Sequence, residues 1–178
     1  MSRLQVFREN DPSVTMLATE DGDVIASTLG EIGIRFERWP TRACGDDLLA
    51  AYAPEIALLK AEGGYQTVDV VSVTPDHPDR AAMRTKFLSE HTHAEDEVRF
   101  FVAGEGLFTL HHDSRVFDVL CTEGDLMSVP AGMKHWFDMG AAPQFTAIRL
   151  FVNPDGWVAA FTGDDISEIG RASCRERV

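Results

Sequence analysis

The sequence has no long hydrophobic run and little positive charge. No apolar stretch approaches the roughly 20 residues that cross a bilayer. The first ten residues, MSRLQVFREN, lack the apolar centre of a secretory signal peptide. We therefore expect a cytoplasmic protein with no membrane partner.

Charge and cysteine usage narrow the function further. Sixteen Lys and Arg residues face 29 Asp and Glu, which gives a formal net charge of −13. Because nucleic-acid binding needs a basic surface, the composition argues against a nucleic-acid partner and suits a small-molecule ligand. Cys44, Cys121 and Cys174 are isolated and form no CxxC pair, so we interpret them as free thiols and not as metal ligands.

The length of 178 residues predicts a single domain with a sizeable core. The last ten residues, IGRASCRERV, are basic and non-periodic, unlike the acidic chain before them. They match the in-frame translation of a common sequencing adapter. We therefore predict one domain over residues 1–168 and a non-native tail over residues 169–178. A natural disordered basic tail is the alternative.

Helical signals occur in the first half of the chain. DDLLAAYAPEIALLKAEGG (residues 46–64) combines an aspartate cap with apolar residues at helical spacing, and Pro54 is expected to kink or divide this helix. HPDRAAMRTKFLSE (residues 77–90) predicts a second short helix. GYQTVDVVSV (residues 64–73), between them, alternates as a strand does.

From Glu97 onward the pattern changes to short strands separated by glycine turns. The predicted order is EVRFFV, turn AGEG, LFTLHH, RVFDVL, turn TEGD, LMSV, turn PAGM, HWFDM and QFTAIRLFV. Regular short strands of this kind predict a mainly β fold, a small barrel or jelly roll, with accessory helices in the N-terminal half.

Strand alternation groups several side chains that could hold a metal. His91 and His93 share one face, and Glu97 shares a face with Arg99 and Phe101. If Glu97 points into the barrel, Arg99 does too. Buried ions without partners lose several kcal/mol of hydration, so a metal and an anionic ligand would account for this pair.

His135 is the best further ligand candidate, because it follows the turn GDLMSVPAGMK at the head of a strand. Three imidazoles and one carboxylate suit Fe, Ni, Mn, Co or Zn and are too nitrogen-rich for Ca or Mg. A six-coordinate iron or nickel would leave two positions for a chelating substrate, which a closed structural zinc does not.

These residues carry a family resemblance. HTHAEDEVRFFVAG fits the first cupin motif, and GDLMSVPAGMKH fits the second, with Gly124, Pro130, Gly132 and His135 in register. Thr85 and Met139 stand where these motifs often have glycine and asparagine. The blocks EHTHAEDEVRFFVAGEGLFTLH, VPAGMKHWFDMG and IRLFVNPDGWVAAFTG resemble the acireductone dioxygenases, cupins with a double-stranded β-helix.

The resemblance implies an enzyme that cleaves 1,2-dihydroxy-3-keto-5-methylthiopentene with O2 in methionine salvage. Fe(II) would give 4-methylthio-2-oxobutanoate and formate, and Ni(II) would give 3-methylthiopropionate, formate and CO. It implies one Fe(II) or Ni(II) per chain and a monomer.

The resemblance also assigns residues. The metal ligands would be His91, His93, Glu97 and His135, and Arg99 would help to generate and hold the substrate dianion. Glu90 and Asp96 match positions linked to metal incorporation and to conformational relay.

For the rest of the pocket our hypothesis is that Phe137, Met139 and Trp157 pack the methylthio tail, with Phe87 near the mouth and Arg149 as a second cation. Phe137 and Met139 share the strand face of His135. The alternative is that these apolar residues are plain core and that Arg99 pairs with a carboxylate.

Two other functions stay open from the sequence. A non-catalytic cupin could bind a small metabolite, and another cupin isomerase or dioxygenase could use the same ligands. The complete ligand set beside an inward cation disfavours the first alternative.

Overall fold

The computed structural model describes residues 1–42, 47–153 and 158–167. The strands are β1 Arg3–Arg8, β2 Asp11–Thr19, β3 Arg35–Arg38, β4 Thr67–Val73, β5 His91–Thr92, β6 Glu97–His112, β7 Arg115–Thr122, β8 Asp125–Val129, β9 Lys134–Asp138, β10 Phe145–Phe151 and β11 Ala160–Phe161. The helices are α1 Gly22–Gly30, α2 Leu48–Ala51, α3 Ala53–Gly63 and α4 Arg80–Phe87. The predicted mainly β fold with helices in the N-terminal half is confirmed.

Two antiparallel sheets share the long strand β6. Its first part pairs with β8 and β10, and β3 and β4 extend that sheet on either side. Its second part pairs with β7 and β9, and this sheet continues through β1 to β2 on one side and through β5 to β11 on the other. Side chains from both sheets, including Phe101, Phe108, Met127 and Ala147, form the main buried cluster. The core therefore lies between the two sheets.

The predicted turn AGEG is wrong, because β6 continues through it. The register with β10 shifts by one residue between Thr146 and Ala147, which gives the strand a bulge where it leaves one sheet for the other. The extra residue is Val102, and Gly104, two residues further, has a φ of +73°. The glycines therefore mark a bend in a continuous strand.

The two helix predictions are confirmed, but α1 was missed. Tyr52 separates α2 from α3, and Pro54 lies in the first turn of α3, where its missing N–H costs no hydrogen bond. In α1 the Asp21 carboxylate accepts hydrogen bonds from the N–H groups of Asp23 and Val24. An aspartate cap before apolar residues four apart would have been the signal for α1.

No helix in the described part of the chain is both long and apolar enough to cross a membrane. Residues 168–178 lie outside the described residues, so the predicted tail and its boundary are not tested. The same is true of Cys44 and Cys174, while Cys121 is a free, buried thiol.

Candidate metal site and cavity

Three imidazoles from two distant segments of the chain lie together in the folded protein. His91 on β5 pairs directly with His135 on β9, and His93 follows one residue after β5. One ring nitrogen of each histidine lies within 4.8 Å of the others. All three residues are buried. The predicted convergence of these side chains is therefore seen in the structure.

Each ring is oriented by a backbone carbonyl. The Nδ1 atoms of His91, His93 and His135 lie 2.7, 3.0 and 2.8 Å from the carbonyl oxygens of Ser89, Val158 and Met133. Since a carbonyl only accepts, each Nδ1 carries the proton and donates. A neutral ring with its proton on Nδ1 has its lone pair on Nε2, the form in which imidazole binds a metal.

Glu97, at the start of β6, completes the cluster. Its Oε2 lies 3.1 Å from Nε2 of His93 and 3.2 Å from Nε2 of His135, and its Oε1 accepts a 2.7 Å hydrogen bond from Arg99. Burial raises the pKa of Glu97, but the charge of Arg99 and the two imidazoles outweigh burial and hold the pKa well below its usual range. Glu97 is therefore a buried carboxylate that stays ionised.

The histidines differ in their affinity for a proton. Burial and the neighbouring His135 lower the pKa of His91 to about 4. Burial also lowers the pKa of His93, but the hydrogen bond and charge of Glu97 outweigh it and raise the pKa above its usual value. His91 is consequently neutral at physiological pH and available as a ligand.

The donor set fits a divalent transition metal. When these rings are neutral with the proton on Nδ1, two Nε2 lone pairs face the same carboxylate oxygen at about 3 Å, and this arrangement is repulsive unless a cation lies among the three atoms. Two ligands at right angles, each about 2.1 Å from one ion, are about 3 Å apart. His91, His93, Glu97 and His135 could therefore hold one ion.

The cluster opens into a cavity of about 330 Å³. Its lining consists of Thr67, Asp69, Lys86, Phe87, His91, His93, Glu97, Arg99, His135, Phe137, Arg149, Phe151 and Ala159. Phe87, Phe137 and Arg149, which were predicted as pocket residues, thus line this cavity. Trp157 falls outside the described residues.

Arg99 is held between the cluster and aromatic rings. It is 6% exposed, and its guanidinium carbon lies 4.5 Å from the ring centre of Phe137 and 5.1 Å from that of Phe108. Burial lowers its pKa, against the opposing effect of Glu97. A fixed cation therefore faces the cavity beside the ligands.

Arg149 is a weaker second cation than expected. On β10 it is paired with Asp69 of β4, and the two side chains form two hydrogen bonds of 2.9 and 2.6 Å. This ion pair offsets much of the charge that Arg149 would offer an anion.

The placement of Met139 in the pocket is wrong. It follows the last residue of β9, is 4% exposed within the main core cluster, and does not line the cavity. It borders a separate depression beside Gly104 and Gly106 instead. Strand alternation does not extend past the end of the strand, which is why the inference from His135 and Phe137 failed.

Glu90 and Asp96 flank the cluster without lining the cavity. The Glu90 side chain is fully buried and contacts His111 and Thr162. Asp96 accepts a 2.9 Å hydrogen bond from the N–H of Ala131 and lies 3.5 Å from the Tyr65 hydroxyl.

Several lining residues were missed by sequence reasoning. Thr67 and Asp69 of β4 pair with Phe151 and Arg149 of β10, so alternate residues on each strand present one face to the cavity. The placement of Arg149 could have identified Phe151, two residues further. Nothing local to the sequence marks Lys86 or Ala159.

Comparison with known proteins gives a consistent result. Residues 5–159 match the model of the ARD/ARD' family. Proteins named acireductone dioxygenase from Hahella chejuensis and Pseudomonas aeruginosa are each 57% identical over 172 and 173 residues, covering 94% of this chain and 93% and 96% of theirs.

A solved structure is similar as well. Acireductone dioxygenase from Bacillus anthracis, with a cadmium ion in its active center, superposes with a TM-score of 0.79 at 32% identity, covering 90% of this chain and 98% of that one. The match identifies the two-sheet architecture as the predicted cupin fold. From the family model, the relatives and the shared fold together, this chain belongs to the ARD/ARD' family.

Proposed function

We propose that the protein is a metal-dependent dioxygenase that cleaves acireductone, 1,2-dihydroxy-3-keto-5-methylthiopentene, with O2. The observation that carries the proposal is the cluster of three buried imidazoles, two of which lie about 3 Å from the carboxylate of Glu97, in the wall of a cavity. The names of the relatives and of the solved neighbour support the same activity.

In this proposal His91, His93, Glu97 and His135 hold one Fe(II) or Ni(II). Bound there, the metal would supply a Lewis acid and a template for the two oxygens of the ene-diol. The carbonyls behind the rings keep the nitrogen ligands aimed at the ion, which limits the reorganisation needed when substrate binds.

Arg99 would stabilise the negative charge of the deprotonated substrate. Its guanidinium is buried against Phe108 and Phe137, where little water screens the interaction. The deprotonated ene-diol is more electron-rich than the neutral form, so a cation that favours the dianion also favours its reaction with O2.

Aromatic side chains would bind the methylthio tail. Phe87, Phe137 and Phe151 line the cavity and provide apolar surface that excludes water. Arg149, paired with Asp69, would shape the wall of the pocket more than it binds charge.

We further propose that the bound metal determines the products. Fe(II) would give 4-methylthio-2-oxobutanoate and formate, and Ni(II) would give 3-methylthiopropionate, formate and CO, within methionine salvage. Glu90 and Asp96 would serve metal incorporation or conformational relay. We also propose one cytoplasmic, monomeric domain over residues 1–168, with residues 169–178 as a non-native tail.

The test combines turnover with metal analysis. Acireductone is mixed anaerobically with Fe(II)-loaded or Ni(II)-loaded protein, O2 is admitted, and loss of the ultraviolet absorbance of the substrate is followed while formate and CO are measured. We expect accelerated loss with formate from both forms and CO from the nickel form. His135→Ala is the control, in which metal content and rate should both fall.

Other outcomes select the alternatives. Binding of acireductone without accelerated loss would indicate a non-catalytic cupin. Loss of absorbance without formate would indicate an isomerase or another dioxygenase. A protein that retains no metal would contradict the proposal altogether.

A further inference from the structure

One of the three imidazoles is oriented differently from the other two. His91 and His135 donate to the carbonyls of Ser89 and Met133, each two residues earlier in the chain. His93 donates to the carbonyl of Val158, which is 65 residues away in sequence. The ring of His93 therefore depends on the position of another segment.

That segment, residues 158–162, lies directly across the ligand strand. Ala160 and Phe161 of β11 pair with Thr92 and His91 of β5, and the ring centre of Phe161 is 5.8 Å from that of His91. The strand pairing spans only two residues on each side. So short a ladder is a weak attachment by itself.

A buried carboxylate supplements the ladder. The side chain of Glu90, the residue before His91, is fully buried. Its Oε1 accepts a 2.8 Å hydrogen bond from the Thr162 hydroxyl, and its Oε2 accepts a 2.7 Å hydrogen bond from Nδ1 of His111. The Thr162 N–H also donates to the Glu90 carbonyl over 3.1 Å. Hydrogen bonds to a buried charge are among the strongest in proteins, so Glu90 ties residues 158–162 to β5 and β6.

We propose that Thr162, acting through Glu90, is a positioning residue for His93. The hydrogen bond to Glu90 keeps the Val158 carbonyl against Nδ1 of His93, which fixes the proton on Nδ1 and directs Nε2 toward the metal position. This inference rests on the metal-dependent function proposed above. The Val158 carbonyl orients His93 as the carbonyls of Ser89 and Met133 orient the other two histidines, and Thr162 keeps Val158 in place.

The test substitutes Thr162→Val, which removes the hydroxyl and keeps the size and branching of the side chain. Protein is loaded with Zn(II), and its release to excess chelator is followed with a colorimetric indicator. Loss of a hydrogen bond that helps to orient a metal ligand commonly weakens metal binding by about 10-fold or more. We therefore expect Zn(II) to be released about 10-fold faster.

A second readout separates positioning from general loosening. In nitrogen-15 spectra of the metal-free protein, the side-chain nitrogens of His93 should change from the Nδ1–H form toward a mixture of tautomers in Thr162→Val. The signals of His91 and His135 should keep the Nδ1–H form, because their acceptors are local.

Two controls accompany the variant. Thr162→Ser retains the hydroxyl and should restore slow release. Thr92→Val makes the same chemical change on the strand that pairs with β11, and the Thr92 side chain makes none of the contacts described above, so release should stay at the wild-type rate. If Thr162→Val does not fold, as judged by circular dichroism, Thr162→Ala takes its place against Thr162→Ser.

The outcomes are distinct. Equal release from wild type and Thr162→Val, or equal changes in all three histidines, would overturn the role of Thr162 while leaving the proposed function intact. A wild-type protein that takes up no Zn(II), Fe(II) or Ni(II) would overturn the proposed function and this inference with it.

Discussion

At the scale of single residues, Glu97 is the group that Arg99 and two of the imidazoles contact. One oxygen accepts from Arg99, and the other faces His93 and His135. A carboxylate with 4% of its side chain exposed would be costly without these partners. Arg99 therefore has two tasks: it offsets the charge of Glu97 and faces the cavity.

Replacing Arg99 tests the second task. Arg99→Ala should keep one metal ion per chain, because the four ligands remain, and should lose about 10²- to 10³-fold in turnover, as expected when a buried group that stabilises negative charge is removed. Initial rates of O2-dependent acireductone loss and elemental analysis measure the two quantities. Arg99→Lys is the control and should retain part of the activity, because it keeps the charge but not the planar geometry. Wild-type turnover in Arg99→Ala would show that Arg99 is structural.

Cys121 gives a prediction about pH. It is fully buried beside Met127, and burial raises the pKa of its thiol well above its usual range. Because the folded thiol stays protonated while the unfolded thiol ionises near pH 8.5, ionisation favours the unfolded state increasingly above that pH. We expect Cys121 to react with a thiol reagent far more slowly in the folded protein than in urea, even at pH 9.

Peptide mapping by mass spectrometry follows Cys121 separately from the other two cysteines. Equal labelling rates at pH 9 with and without urea would contradict the burial. Cys121→Ser, which places a poorly matched hydroxyl in the same space, should lower the free energy of unfolding by about 1–3 kcal/mol.

Ligand positions could be predicted at this scale because a strand repeats every two residues. His91 and His93 share a face for this reason. The carbonyl that accepts the hydrogen bond of His93 could not be predicted, since Val158 contacts His93 only in the folded chain. Arg149 shows the same limit: its position was predictable, but its pairing with Asp69 depends on the register between β10 and β4.

At the scale of elements, β6 decides how the site is assembled. Its first residues carry Glu97 and Arg99, and its last residues contact β7 and β9, which carries His135. If the chain turned back at AGEG, Glu97 and Arg99 would lie on a different strand from the residues that pair with β9. The bulge at Val102, two residues before Gly104, lets one strand serve both sheets.

Gly104→Ala should damage this bend. The added Cβ would lie 1.9 Å from the carbonyl oxygen of Gln144, at a φ of +73°. Gly140 has a similar φ of +75° but no atom within 4 Å of an added Cβ, so Gly140→Ala is a matched control. We expect the control to cost about 1–2 kcal/mol from backbone strain alone, and Gly104→Ala to cost about 1–3 kcal/mol more from overpacking. Urea denaturation measures both, and equal losses would mean that the close approach to Gln144 is easily relieved.

Most strands after Glu97 were predictable, and the error at AGEG has a physical cause. Strands such as β7 to β10 are bounded by strong turn residues, whereas β6 contains glycines that tertiary packing keeps extended. Gly106 illustrates this, because an added Cβ would lie 2.4 Å from the ring of Phe137. A glycine required for close packing is indistinguishable in sequence from one required for a turn.

At the scale of the whole molecule, the candidate metal site joins three strands, of which β9 lies far from β5 and from the start of β6 in sequence. An ion held by His91, Glu97 and His135 would cross-link β5, β6 and β9 in the native state alone. Metal binding should therefore stabilise the fold as a whole.

Thermal unfolding with and without metal tests this. A free metal concentration 100 times the dissociation constant should add about 2.7 kcal/mol, which raises the Tm of a domain of this size by about 5–10 °C. Treatment with a chelator should reverse the rise. His135→Ala should show little response to metal, and an equal rise in that variant would place the ion elsewhere.

The fold class was predictable because regular strands with turn residues between them have few arrangements, whereas the sharing of β6 depends on packing between the sheets. The net charge likewise predicted only the class of partner and not the place where it binds. A charge of −13 disfavours nucleic acid, but only the fold shows that Lys86, Arg99 and Arg149 gather around one cavity.

The carbonyls behind the three imidazoles have a further consequence for chemical probing. Each ring offers a single basic nitrogen, and that nitrogen faces the cavity. An acylating reagent such as diethyl pyrocarbonate and a bound ion would then compete for the same lone pairs. The extent to which a bound ion protects each histidine from the reagent would therefore show separately whether that histidine is a ligand.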